Sequence, residues 1–126
     1  MINNIGKVTI YVNNQEEAKD FWINKMNFII KLEQPMGPNM KWLEVAPSEE
    51  SFTTFVIYEK RLMLAQNSNA NVAHPNIILS TNNIDATYDQ MKSNGINVGE
   101  IMNMPYGKMF KFQDQDNNEY LVREDK

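Results

Sequence analysis

Hydrophobic and polar positions alternate in the same way at two places along the chain. Val8, Ile10 and Val12 alternate with other residues over positions 7–14, KVTIYVNN, and this two-residue period is typical of a β-strand. About 69 residues later, NIILSTNN at positions 76–83 repeats the pattern and again ends in two asparagines. Since a helix-like period follows each copy, the pattern predicts a duplicated structural module.

A helix is predicted after each of these strands. Asn14 and Asn83 suit the position before the helix, because a short amide side chain accepts from a backbone N–H of the first turn. We expect the helices to end at Asn27 and Gly95, residue types that tolerate the left-handed conformation closing a helix. Apolar side chains recur with the helical period in both, at Ala18, Phe21, Trp22 and Met26 and at Ile84, Thr87, Tyr88 and Met91.

Three stretches with strand character follow each predicted helix, at 28–33, 41–45 and 53–59 and then at 97–102, 108–114 and 119–124. Residues 60–73 are predicted to be a connection with an exposed tip, because they are rich in Asn and Ser. The chain of 126 residues is therefore expected to form a single domain of two modules, at about 3–65 and 72–125.

Composition excludes several classes of function. The net charge of -4 and the scattered basic residues disfavour binding to nucleic acid or to an anionic membrane. The absence of cysteine excludes thiol nucleophiles and thiolate metal sites. Since no run of about 18 apolar residues occurs either, we expect a cytoplasmic protein with no nucleic-acid or membrane partner.

Two segments carry a resemblance to a known family. The segments KVTIYVNNQEEAKDFWINKMNF and DQDNNEYLV resemble the vicinal oxygen chelate superfamily, which includes glyoxalases, bleomycin resistance proteins and extradiol dioxygenases, and the likeness spans nearly the whole chain. The resemblance implies an α+β fold. In that fold, two tandem βαβββ modules form a cup of curved mixed sheet, with the helices on its convex face.

Enzymes of this superfamily hold a divalent metal ion in the cup through His, Gln or Glu. The equivalent positions here are Lys7, Asn76, Leu121 and a residue near Phe55. Deprotonating a lysine costs about 4.6 kcal/mol at pH 7, leucine has no donor atom, and a neutral amide oxygen suits calcium better than a transition metal. We therefore expect neither a bound metal ion nor another cofactor.

The same alternation predicts which side chains face the cup. Lys7, Thr9 and Tyr11 share one face of the first strand, and His74 and Asn76 share the corresponding face of its repeat. Methionines and aromatic residues around two equivalent turns are typical of an adaptable apolar wall. The predicted ligand-binding residues are Lys7, Thr9, Tyr11, Trp42, Glu44, His74, Asn76, Tyr106, Met109 and Leu121.

Three of these residues are also candidates for catalysis. Glu44 either points inward with a raised pKa, as an acid or base, or forms an outward charge or an ion pair with a lysine. His74 is the sole histidine and is either a general base or displaced metal ligand, or an idle side chain before Pro75. Lys7 either acts as a base or anion binder, or extends into water from a sheet edge.

These observations favour a metal-free binding protein of the bleomycin resistance type that sequesters an antibiotic or metabolite. The alternative is a lyase, isomerase or dioxygenase-like enzyme that uses atypical metal ligands or metal-independent acid/base catalysis. A third possibility is a regulatory or immunity module without a small-molecule site. Because open strand edges are commonly covered by a second copy, we expect a homodimer.

Overall fold

A computed structural model of the protein describes residues 1–125, which form two compact units. The first unit is Met1–His74, and the second begins at Pro75. Both are built from a mixed β-sheet and α-helix, so the predicted α+β class is confirmed. No helix among these residues is long and apolar enough to cross a membrane.

The first unit contains a four-stranded sheet in the order β1-β4-β3-β2, in which β1 and β4 are parallel and the other neighbours are antiparallel. A π-helical turn at Phe21–Lys25 extends α1, and α2 follows β4 directly. The elements are β1 (Lys7–Val12), α1 (Gln15–Asp20), β2 (Ile29–Pro35), β3 (Lys41–Ala46), β4 (Thr54–Glu59) and α2 (Lys60–Gln66).

The second unit repeats this arrangement, with strands in the order β5-β9-β8-β6 and with β7 also paired to β8. Strands β5 and β9 are parallel, as β1 and β4 are in the first unit. The elements are β5 (Ile78–Ser80), α3 (Ile84–Ser93), β6 (Asn97–Val98), β7 (Met102–Met104), β8 (Gly107–Gln113) and β9 (Glu119–Asp125).

Both predicted helix starts and both predicted ends are confirmed. The backbone N–H of Glu17 donates to Asn14 Oδ1 at 3.0 Å, and that of Ala86 donates to Asn83 Oδ1 at 3.1 Å. Asn27 has φ 59° and Gly95 has φ 81°, so each adopts the left-handed conformation after its helix.

Two sequence predictions about local structure are wrong. Residues 60–66 form helix α2 rather than part of an irregular connection, because Leu, Met, Ala, Lys, Arg and Gln all have high helix propensity. The strand expected at 97–102 is divided into β6 and β7, and the backbone N–H of Gly99 between them donates to the carbonyl of Lys111 at 2.8 Å.

One face of each sheet packs against helix and forms a hydrophobic core. In the first unit, the fully buried Trp22 contacts Phe28 and Phe55, with ring centroids 4.9 and 5.3 Å apart. In the second unit, Tyr88 of α3 contacts the buried Phe110 of β8 at 5.2 Å. The opposite face of each sheet is therefore the one available for a binding site.

Candidate functional site

Strand register brings predicted site residues together on the face of the first sheet that lies opposite α1, which we call the first-sheet face. Lys7 pairs with Thr54, and Tyr11 pairs with Tyr58, across β1 and β4. Glu44 of β3 pairs with Val56 of β4. Because alternate residues share a face, this face carries Lys7, Thr9, Tyr11, Trp42, Glu44, Thr54, Val56 and Tyr58.

A buried carboxylate lies at the centre of the first-sheet face. Glu44 is only 4% exposed, yet it accepts hydrogen bonds from three side chains. Lys7 Nζ donates to Oε1 at 2.9 Å and Thr54 Oγ1 donates to the same oxygen at 2.8 Å. Trp42 Nε1 donates to Oε2 at 2.7 Å. Both carboxylate oxygens are thus held by the protein itself.

These donors determine the charge of Glu44. Burial alone would raise its pKa, but the hydrogen bonds from Trp42, Lys7 and Thr54, together with the charge of Lys7, hold the pKa below its ordinary value. The raised pKa that the sequence suggested is therefore wrong. Glu44 points inward, but it forms the ion pair with a lysine that was the alternative interpretation.

Lys7 reaches this carboxylate from the edge of the sheet. Its strand, β1, is an outer strand, and 53% of its side chain is exposed. A lysine can keep its ammonium group in water while its aliphatic stem covers apolar surface. Lys7 is consequently both an edge lysine and the partner of Glu44.

Aromatic side chains adjoin the ion pair on the same face. Tyr58 contacts Tyr11 edge to face at 6.3 Å between ring centroids and contacts Trp42 at 6.4 Å. Its hydroxyl accepts a hydrogen bond from Gln66 Nε2 of α2 at 2.6 Å. Such rings provide large apolar contact area with a polar edge, which suits recognition of a small organic molecule.

Three members of this site were missed by the sequence reasoning: Thr54, Val56 and Tyr58. All three lie on β4, where apolar residues occupy both faces and conceal the alternation. Alignment of TFVIYE with the residues of β1 would have shown which of its side chains share a face with Lys7. This alignment requires the pairing of β1 with β4.

A small cavity lies beside Tyr58. It has a volume of about 70 Å³ and is lined in part by Gln15, Lys41, Glu59 and Leu62. Pockets for drug-sized ligands typically measure about 300–1,000 Å³. This cavity is therefore too small to enclose such a ligand by itself.

Three further residues that were predicted to bind the ligand lie in the second unit, namely Tyr106, Met109 and Leu121. Leu121 pairs with Ile78, which is 57% exposed, and Met109 pairs with Arg123. The guanidinium of Arg123 lies 4.7 Å from the ring centroid of Tyr106, a cation–π contact. The face of the second sheet opposite α3 thus carries the apolar side chains of Ile78, Met109 and Leu121 together with the cations of Lys111 and Arg123.

His74 and Asn76 lie outside the regular strand, because β5 begins only at Ile78. His74 is half-buried at the end of the first unit, and Asn76 is exposed. His74 is not among the three side chains that donate hydrogen bonds to Glu44. The roles of His74 and Asn76 in binding or catalysis remain predictions.

The positions equivalent to the superfamily's metal ligands do not fit a transition metal ion. On β4 the relevant residue is Val56 rather than Phe55, because Phe55 points to the α1 side and packs on Trp22. Lys7 is engaged with Glu44, and Leu121 supplies only hydrocarbon. Within residues 1–125, no three His, Asp or Glu side chains are grouped to hold a metal ion.

Comparison with known proteins gives a consistent result. A family model described as Glyoxalase/Bleomycin resistance protein/Dioxygenase superfamily matches residues 4–122. The uncharacterized protein YetH of Bacillus subtilis (strain 168) is 39% identical over 125 residues, which cover 98% of this chain and 100% of that protein.

Solved structures are similar over almost the entire chain. TnmS3, an antibiotic binding protein from Streptomyces sp. CB03234, matches with a TM-score of 0.82 and 26% identity, covering 99% of this chain and 98% of that one. A glyoxalase/bleomycin resistance protein/dioxygenase superfamily member from Sphaerobacter thermophilus DSM 20745 has a TM-score of 0.81 and 25% identity, with 98% of both chains covered.

Proposed function

The chain belongs to the glyoxalase/bleomycin resistance protein/dioxygenase superfamily, and from this membership we propose that it is a metal-independent small-molecule-binding protein. Its ligand lies on the first-sheet face and is an antibiotic or a metabolite that the protein sequesters. The aromatic side chains supply apolar contact, and the Lys7–Glu44 pair supplies the polar anchor.

The observation that carries this proposal is the set of three donors around Glu44. Three of the roughly four lone-pair sites of the Glu44 carboxylate already accept hydrogen bonds from Lys7, Thr54 and Trp42, and the charge of Lys7 lies beside it, so Glu44 is poorly suited to bind a metal ion. Buried polar groups satisfied in this way are typically rigid, and a rigid anchor beside apolar rings favours selective binding.

The similarity to TnmS3 supports an antibiotic as the first class of ligand to test. That protein is described as antibiotic binding, and the likeness covers nearly the full length of both chains. The enzymatic alternative has less support, because Glu44 with a lowered pKa holds no proton to donate at neutral pH and is a weak base.

We further propose that the protein is a homodimer. Strand β2 is an outer strand of the first sheet, and it exposes 38% of Ile30 and 40% of Leu32. Uncovered edges with apolar side chains favour pairing with another chain. Light scattering at high micromolar concentration should give twice the chain mass of 14.7 kDa, and a monomer mass would contradict the proposal.

Tryptophan fluorescence provides a direct test of ligand binding, because the chain has only two tryptophans in different environments. Trp42 lies on the first-sheet face, whereas Trp22 is fully buried on the α1 side. Chelator-treated protein should be titrated with a panel of cationic glycopeptide, planar polycyclic, macrolide and phosphonate antibiotics. A ligand should change the emission of the native protein and of Trp22→Phe, but not that of Trp42→Phe.

Two results would contradict the proposed function. One is the absence of saturable binding for every compound, checked by calorimetry as well as by fluorescence. The other is binding that occurs only after a metal ion is added. Trp22→Phe is the matched control, because it removes an indole of the same unit from the opposite side of the sheet.

A further inference from the structure

The donors around Glu44 differ in how easily they can be replaced. Trp42 lies two residues away on the same strand, and Thr54 is 4% exposed on the neighbouring strand. Both belong to the packed sheet. Lys7 instead reaches in from the edge with 53% of its side chain in water. Because water can solvate a released ammonium group, Lys7 is the donor that another cation can displace.

Aromatic side chains on the first-sheet face also favour cations. Tyr11 is on the same face of β1, and Trp42 is on the same face as Glu44 on β3. Tyr58 lies between these rings and contacts both. Aromatic ring faces attract ammonium and guanidinium groups, most strongly where water is partly excluded. A fixed carboxylate bonded to Trp42, with Tyr58 and Tyr11 on the same face, is therefore chemically suited to a cationic group with an apolar body.

We propose that Lys7 is the internal occupant of a cation subsite, and that the ligand carries a protonated amine or guanidine next to an aromatic or apolar body. On binding, this cation takes the place of Lys7 at Glu44 Oε1, and Lys7 turns into water. The inference rests on the proposed function and adds to it the charge of the ligand.

Charge balance favours a cation over an anion at this position. Exchange of one ammonium for another leaves the buried carboxylate of Glu44 compensated throughout. An anionic ligand would instead draw Lys7 away and leave a buried negative charge without its partner, next to a second negative charge. Breaking a buried pair from one side is costly, so the site should reject anions.

Matched probes test this inference: 3-phenylpropylamine, 3-phenylpropan-1-ol and 3-phenylpropionate. They share an apolar body and differ in charge. Calorimetry at about pH 7.5, where amines are protonated and carboxylates ionised, should give the order amine, alcohol, carboxylate from tightest to weakest. Glu44→Gln should remove the preference for the amine over the alcohol.

Replacing Lys7 distinguishes displacement of its ammonium group by the ligand from a general attraction of the first-sheet face for cations. Lys7→Met should bind the amine about tenfold more tightly, the gain expected if Lys7 occupies the subsite in about nine of ten free molecules. Lys19→Met is the matched control, because the ammonium group of Lys19 forms its 2.7 Å ion pair with Glu33 instead of with Glu44. That control should leave the affinity unchanged.

A measurement on the native protein covers the case in which Lys7→Met does not fold. Acetylation of Lys7 by a water-soluble acetylating reagent, followed by mass spectrometry, should become several-fold faster when the amine is bound as its N,N-dimethyl analogue, a tertiary amine that the reagent does not convert into an amide. It should not accelerate with 3-phenylpropionate. Acetylation of Lys19 provides the internal reference in the same digest.

The outcomes distinguish this inference from the proposed function. Tighter binding of the carboxylate than of the amine, or no gain in Lys7→Met together with no acceleration of Lys7 acetylation, overturns the inference. If antibiotics or the alcohol still bind in that case, the proposed function survives. If no compound binds at all, both fail.

Discussion

Replacing Glu44 with glutamine should destabilise the protein most at neutral pH. Glutamine has nearly the same shape but only one acceptor oxygen, so at least one of the donors Trp42 and Thr54 loses its partner. An unsatisfied buried group costs about 1–3 kcal/mol, and the loss of charge assistance in the bond that remains costs about 1 kcal/mol more. Lys7 adds little, because its exposed ammonium returns to water. The total is about 2–4 kcal/mol.

The pH dependence of this loss identifies its cause. The pKa of Glu44 is lower in the folded chain than the ordinary value of 4.5, so its ionised form stabilises the folded state above that pH. This contribution disappears as the pH falls through the folded-state pKa. The difference in unfolding free energy between native protein and Glu44→Gln should therefore shrink as the pH is lowered from about 7 to about 3.

Urea denaturation followed by circular dichroism at a series of pH values measures this difference without relying on Trp42. Glu33→Gln is the control, because hydrogen bonds from Lys19 and Lys41 also lower the pKa of Glu33, but on a side chain that is 26% exposed. It should cost less than about 1 kcal/mol and should be sensitive to salt. A difference for Glu44→Gln that is constant, or that grows in acid, would show that the ionised carboxylate is not the source of the lost stability.

Further substitutions test the supporting structure. Asn83→Ala removes the acceptor for the N–H of Ala86 and should cost about 1 kcal/mol in urea denaturation; a loss below about 0.3 kcal/mol would show that water replaces the cap. Tyr120→Phe removes a buried 2.7 Å hydrogen bond to Asp114 Oδ2 and should lower stability by about 1–2 kcal/mol, with thermal unfolding as the readout; an unchanged midpoint would contradict it. Gly107→Ala should cost at least about 2 kcal/mol, because φ is +150° and an added Cβ would lie 2.4 Å from the carbonyl oxygen of Glu124; normal expression and an unchanged urea midpoint would be the contrary result.

Local sequence signals were sufficient for much of the fold. The alternation at 7–14 and 76–83, the asparagine caps and the left-handed residues at Asn27 and Gly95 all act within a few residues of chain, so they can be read without tertiary information. Helix α2 was missed because it follows β4 immediately, with no side-chain cap on its first turn to mark its start.

The site was harder to predict because it depends on pairing between distant strands. The alternation of side chains along a strand was enough to place Lys7 and Tyr11 on the same face of β1, and it was compatible with Glu44 pointing towards the cup. The partnership of Lys7 with Thr54 requires the parallel pairing of β1 with β4, which no local pattern encodes. The sequence left open whether Glu44 has a raised pKa or pairs with a lysine, because two of its three donors, Lys7 and Thr54, lie on other strands and reach it only in the fold.

The sign of that pKa has a functional consequence. A buried carboxylate with a raised pKa would have supported acid/base catalysis, whereas one that is ionised and fully hydrogen-bonded is suited to electrostatic recognition. We therefore propose Glu44 as a binding anchor instead of a catalytic residue. Trp42 was predicted only as a ligand-binding residue, and the structure shows in addition that it donates a hydrogen bond to Glu44.

The central claim is that the first-sheet face binds small molecules without a metal ion. Calorimetric titration of chelator-treated protein with Zn²⁺, Ni²⁺, Mn²⁺ and Fe²⁺, with and without an antibiotic found to bind, tests it most directly. We expect no stoichiometric metal binding and an unchanged affinity for the antibiotic. Micromolar binding of one metal ion per chain that is lost in Glu44→Gln, or antibiotic binding that requires the ion, would contradict it.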